Sequence, residues 1–211
     1  MITLHTYGDS HASFHGGWVK GVVDGVQLKG VTINNLNIKA NHFHGKLAYS
    51  FGRDKMKVVN NVKSDDIVVF CFGEIDCRNH VHKHITRSKT YQDVIDDIVN
   101  NYIEAIELNI SVSKINFRNV SVYNVVPPIQ RWNTWENPEF PYLGTDEERK
   151  QYVLYFNKKL KERCNEKKYI FFDIYNNYTD ENGFLRKDLS DGNVHIANEI
   201  YINKFIKDNN L

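Results

Sequence analysis

The chain has 211 residues, enough for one domain with a sizeable core. Hydrophobic residues make up 41% and charged residues 25%, which argues against a disordered tail or a membrane-embedded chain and for a globular domain. The formal net charge of +1 leaves no general electrostatic drive toward a nucleic-acid polymer or a membrane surface.

The opening MITLHTYGDS has no basic n-region and no long apolar core, and no apolar run approaches the ~20 residues that span a bilayer. Cys71, Cys77 and Cys164 are odd in number and form no disulfide framework. Together these predict a cytoplasmic location. The sequence is equally compatible with one domain of a longer multidomain protein.

In chain order, Ile2 to Tyr7 is a short run ending at Gly8, as a strand entering a tight turn does. Gly21 to Ile38 alternates loosely and predicts short strands or irregular chain, and Lys46 to Arg53 predicts a brief helix. Asp66 to Phe72 is a continuous apolar run stopped by Gly73, the pattern of a central strand buried on both faces. From Tyr91 to Asn109, apolar residues recur every three or four positions behind a Thr90 cap, predicting an amphipathic helix. Val120 to Val126 reads as a strand stopped by Pro127 and Pro128. Thr145 and Glu148 form a capping-box pattern that opens a helix running to about Lys167. Tyr169 to Ile174 predicts a last buried strand, and Ala197 to Lys207 a closing helix.

Alternating strands and helices predict a three-layer α/β/α sandwich around a central, mostly parallel sheet, formed by residues 1–211 as one domain. Such sheets place their sites at the carboxyl ends of the strands. The polar clusters GDSH, GEIDCR and PPIQRW fall at those ends, and DGNVH precedes the last helix. Gly8-Asp9-Ser10-His11 exposes a hydroxyl on a turn, but a serine needs a base to become a useful nucleophile. His195, with Asp191 just upstream, has the carboxylate–imidazole composition of such a base and its orienting group. Taken singly, Ser10 reads as a helix cap, which is what a serine after a strand usually is, and DGN as a surface turn.

Taken together, the GDS turn after the first strand, a glycine-led loop after a central strand and an Asp/His cluster before the last helix resemble the SGNH (GDSL-like) hydrolases over nearly the whole chain. The resemblance implies the flavodoxin-like fold of that family, no cofactor, and a triad of Ser10 as nucleophile, His195 as base and Asp191 as orienter. It also implies an oxyanion hole from the N–H groups of Ser10 and a second-block glycine. Gly45 in HFHGK is preferred for the latter over Gly52, because a helix follows it. Two departures stand out. Asp191 precedes His195 by four residues instead of three, and the third block reads Gly73-Glu74-Ile75-Asp76, with Ile75 where the family has an asparagine donor. Arg78 or Asn79 is then the candidate replacement donor.

In GEIDCRNHVHKH, the group Glu74, Asp76, Arg78, His80, His82 and His84 reads partly as a salt-bridge cluster. Arg78 has the forked geometry that suits an anionic substrate group. The alternating histidines match no good zinc spacing, so no metal is expected. Asp9, His11, Gly73, Glu74 and Asp76 complete the candidate substrate-binding set. Trp132 and Trp135, beside Arg131, predict a substrate-facing loop. Three functions compete: an esterase or acyl-transfer enzyme acting on O-acyl groups, by family analogy those of a carbohydrate; a glycosyl- or other group transferase with His195 as base and Arg78 holding the donor; and a non-catalytic glycan-binding module.

Overall fold

The computed structural model describes residues 2–14, 31–33, 36–131 and 136–211. Its strands are β1 (Thr3–Gly8), β2 (Val31–Ile33), β3 (Leu36–His42), β4 (Ile67–Cys71), β5 (Val120–Tyr123) and β6 (Ile170–Phe172). They form one sheet in the order β2-β3-β1-β4-β5-β6. All pair in parallel except β2, which runs antiparallel to β3 at the edge. The parallel five follow the flavodoxin-like order, in which the chain reverses direction of travel between β1 and β4, and the crevice there is the expected binding position.

Strand β4 explains why a solid apolar run is needed at the centre. All five of its residues are buried. Ile67, Val69 and Cys71 enter the core on one face of the sheet, while Val68, Phe70 and the following Phe72 enter the core on the other. This is the two-residue period of a strand covered on both sides. One core is closed by α1 (Ala48–Arg53), α3 (Tyr91–Ser113) and α4 (Asp146–Lys167), through residues such as Phe51, Ile98, Tyr102 and Phe156. The other is closed by the turn after β1 and by α5 (Ile200–Asp208), through Ala12, Phe14, Ile202 and Ile206. The sandwich is therefore three-layered. Cys71, Cys77 and Cys164 are buried within these cores as free thiols.

The helix starts follow the predicted capping chemistry. Thr90 accepts from Asp93 N–H and Thr145 from Glu148 N–H, each with the reciprocal bond of a capping box. Other boundaries moved. Strand β5 ends at Tyr123 rather than Val126, because Asn124 turns its side-chain oxygen to Ile174 N–H at 2.9 Å and Val125 N–H donates to Asn157 at 2.7 Å. Helix α1 begins at Ala48 rather than Lys46, at a point fixed from outside by a carboxylate described below. Much of the Gly21 to Ile38 stretch lies outside the described residues.

Candidate active site

Strand β1 ends at Gly8, paired across to His42 on one side and Cys71 on the other, so the next residues emerge at the crevice. Asp9 caps a single 3₁₀ turn, Ser10–Ser13, by accepting from His11 N–H at 2.9 Å. The turn holds Ser10 at its first position.

On the far side, the Asp191–His195 loop closes on itself. Asp191 N–H donates to the His195 carbonyl at 3.1 Å, and Asn193 N–H donates to Asp191 Oδ1 at 2.8 Å. Gly192 sits at φ 85°, a conformation that favours glycine, and this takes up the extra residue of the four-residue spacing. The second carboxylate oxygen then reaches His195 Nδ1 at 2.8 Å, and His195 Nε2 lies 2.8 Å from Ser10 Oγ. A carboxylate only accepts, so Nδ1 carries the proton and Nε2 is left to accept from the serine hydroxyl. Burial works against the Asp191 charge, but its bonds to His195 and to backbone N–H groups hold its pKa below the ordinary value.

A cavity of about 150 Å³ lies over this chain of groups. Ser10, Gly45, Ile75, Arg78, Phe140 and His195 are among the residues lining it. Gly45 has φ 64°, and an added Cβ would come within 2.7 Å of the Phe140 ring, so the backbone at this point is bare by necessity. Ile75 faces the cavity and supplies no hydrogen-bond donor. A larger groove of about 880 Å³ lies beyond Asn193, which lines both spaces; Gln130, Asp180, Arg186 and Asp188 are on its walls.

Several candidate residues of the third block serve other ends. Asp76 is completely buried and accepts from Ala48 N–H at 2.7 Å and Tyr49 N–H at 3.0 Å, capping α1 instead of facing a substrate. Its pKa is pushed up to about 7, because burial outweighs those two bonds. Asn79 does not swing in as a donor: its amide is 3.1 Å from the Pro141 carbonyl. Gly73 is a packing glycine, since a Cβ there would meet Val125 at 2.7 Å and Phe156 at 3.1 Å. Arg78 does line the cavity, yet its fork is held from within. Its Nε and Nη2 lie 2.8 and 3.0 Å from the two oxygens of Glu74, its Nη1 donates to the Phe140 carbonyl at 2.9 Å, and the guanidinium covers the Tyr142 ring at 5.2 Å.

The histidine run does not converge. Asp76–His80 is one π-helical turn and Val81–His84 (α2) continues as α-helix, so alternate residues point in different directions. His80 packs at a tilt against the Tyr49 and His84 rings, each 4.2 Å away, and burial with nearby positive charge pushes its pKa down to about 4. His82 is 3.1 Å from the Tyr152 hydroxyl. Among the described residues, no group of three or more metal-ligating side chains is placed to hold an ion.

His11 is buried against the site, with Nδ1 2.9 Å from Asp9 and Nε2 3.2 Å from the Val194 carbonyl. Trp132 and Trp135 lie outside the described residues. The loop that follows them forms one wall of the cavity through Asn137, Phe140 and Tyr142. Tyr142 donates to Asn193 at 3.0 Å, and burial pushes its own pKa up to about 12. These three residues, with His42, His44 and Asn193, were not singled out from sequence. The two histidines flank the glycine of HFHGK, and Phe140 and Tyr142 belong to the tail of the Trp-containing loop, so the signals were adjacent but unread.

No protein-family model matches the sequence, and no curated protein does. Solved structures do match. A GDSL-like lipase from Bacteroides thetaiotaomicron superposes with a TM-score of 0.62 at 18% identity, over 98% of this chain and 86% of its own. An aryl esterase from M. smegmatis gives 0.58 at 13% identity, over 99% of both chains. A catalytic mutant of an acetylxylan esterase from Geobacillus stearothermophilus gives 0.58 at 10% identity, over 100% of this chain and 92% of its own. The chain has the SGNH (GDSL-like) hydrolase fold.

Proposed function

We propose that the chain is a serine esterase of the SGNH type that removes a short O-acyl group. The observation that carries this reading is the unbroken Asp191–His195–Ser10 chain, with both links at 2.8 Å, beneath a cavity edged by Gly45. Ser10 Oγ attacks the acyl carbon while His195 Nε2 takes its proton, and Asp191 steadies the imidazolium that forms. The Ser10 and Gly45 N–H groups receive the oxyanion. On collapse, the ester C–O bond breaks and His195 returns the proton to the departing alcohol. Water, deprotonated by His195, then splits the acyl-serine into free acid and Ser10.

The cavity size favours a short acyl chain. About 150 Å³ is well below the roughly 300–1,000 Å³ that holds a drug-sized ligand. The alcohol leaves from the His195 side, toward the 880 Å³ groove beyond Asn193, whose amides, carboxylates and Arg186 suit a hydroxyl-rich partner such as a carbohydrate. Acyl transfer to a second alcohol is the other reading; it shares the acyl-serine and the oxyanion hole with hydrolysis and differs in the nucleophile that resolves the intermediate. Glycosyl transfer has less support, because the Arg78 fork is already taken by Glu74 and the Phe140 carbonyl. Three buried thiols suit the reducing cytoplasm we propose as its location.

The test is acetate release from p-nitrophenyl acetate and from an acetylated oligosaccharide by the native protein and by Ser10→Ala. Release that depends on Ser10 is expected, faster on the oligosaccharide. Equal activity in the Ser10→Ala protein would overturn the reading.

A further inference from the structure

The His11 ring is caught between two oxygens that can only accept hydrogen bonds. Its Nδ1 lies 2.9 Å from Asp9 Oδ1, and its Nε2 lies 3.2 Å from the carbonyl oxygen of Val194. The same Asp9 oxygen also accepts from the His11 backbone N–H at 2.9 Å. A carboxylate and a peptide carbonyl offer lone pairs and no proton, so both ring nitrogens must bring their own hydrogen. A histidine with two N–H groups is an imidazolium. This one is 8% exposed, its Asp9 partner is 1% exposed, and its ring centre lies 5.1 Å from that of His195.

The two bonds join different parts of the site. Asp9 belongs to the turn that presents Ser10, and Val194 is the residue immediately before His195. His11 and Val194 are 183 positions apart in the chain, and their bond is a second tie between the two loops beside that of His195 to Ser10.

We propose that His11 is a positioning residue: a buried imidazolium that fastens the His195 loop to the turn carrying Ser10. The proposal rests on the reading of Ser10 and His195 as nucleophile and base. The groups facing His11 come from every neighbouring element: Asp9 in its own turn, Glu74 with its partner Arg78 after β4, Tyr123 of β5, and His195 with Asp191. Burial opposes the charge, but Asp9, Glu74 and the Val194 carbonyl outweigh it, and the His11 pKa is pushed up to about 9.

Activity against pH separates this role from simple packing. The native enzyme is expected to lose kcat/KM above about pH 9, as the clamp deprotonates and its hold on Val194 weakens. In His11→Leu, kcat falls roughly tenfold with KM nearly unchanged, since only the approach of base to nucleophile is disturbed. The alkaline fall disappears with the clamp. His11→Gln retains an amide donor for the Val194 carbonyl and recovers most of kcat, yet still lacks the alkaline fall. Native kcat and native pH profile in His11→Leu would overturn the proposal. Should that variant not fold, ¹⁵N NMR of the native imidazoles decides: a doubly protonated His11 ring is expected up to about pH 9, and a singly protonated ring at pH 7 overturns the clamp. Ser10→Ala serves as the control. Activity persisting there sinks the esterase reading itself, whereas Ser10-dependent activity indifferent to His11 sinks the clamp alone.

Discussion

The turn after β1 and the loop after β4 leave the sheet from neighbouring strands, and both are crowded with acids and histidines. In the first, Ser10 points its hydroxyl into a cavity, and the imidazole and carboxylate that complete its chain arrive from 181–185 residues away. In the second, the polar groups are spent within the structure: Asp76 on the start of α1, Asn79 on Pro141, Arg78 on Phe140 and Glu74. Polar density alone does not mark a reactive centre. What separates the two is whether the side chains are occupied by peptide groups that would otherwise be buried unpaired, which costs roughly 1–3 kcal/mol each.

If the first region is one device, the largest effects belong there. Ser10→Ala and His195→Ala should each lower kcat on an acetyl ester by on the order of 10⁴-fold or more, and the double variant should be scarcely worse than either. Two losses that multiply in a double-mutant cycle would show that the residues act separately. Next comes Ile75, a position of the second region that faces the cavity without a donor. Loss of an oxyanion donor costs about 10²–10³ in rate, so Ile75→Asn should raise kcat on p-nitrophenyl acetate by roughly 10-fold or more. An unchanged rate would mean that the hole is already complete.

Stability, by contrast, should respond to the second region. Asp76→Ala strips the cap from α1 and should lower unfolding free energy in urea at pH 5 by about 2–4 kcal/mol, with kcat per folded molecule changing far less. The pH dependence of stability sharpens the point. The folded-state pKa of Asp76 is raised to about 7, above an unfolded value near 3.9, so the native state holds this proton longer than the unfolded one. Its contribution therefore makes stability decline as pH rises from about 4 to about 7, and Asp76→Asn should flatten that slope. The smallest effect belongs to Arg78, which touches both regions. Arg78→Lys should raise KM several-fold, nearly as much as Arg78→Ala, because one ammonium cannot bond both Glu74 oxygens and the Phe140 carbonyl. Full activity in Arg78→Lys would reduce the residue to a point charge.

The parts of this molecule legible in its sequence are those set by local chemistry. The run of Asp66 to Phe72 dictates a strand buried on both faces, Thr90 and Thr145 dictate where helices begin, and GDS followed by SDGNVH announces two loops at a crevice. The four-residue step from Asp191 to His195 looked like a defect, yet Gly192 and the Asn193 N–H bond absorb it within the loop. What stayed hidden depends on register between distant segments. Nothing near Asp76 says that its carboxylate meets an N–H group 28 residues earlier, or that Asn79 in the π-helical turn meets the Pro141 carbonyl and Arg78 the Phe140 carbonyl. His11 was legible as a neighbour of Ser10, but not as the link to Val194.

The three buried cysteines have a practical consequence for chemical labelling. Burial raises the Cys71 and Cys77 thiols well above their ordinary value and the Cys164 thiol to about 12, so thiolate is scarce at neutral pH and shielded from reagents. A fluorophosphonate that modifies the folded protein would therefore meet no sulfur competing with Ser10, and its adduct could be mapped to a single tryptic peptide by mass spectrometry.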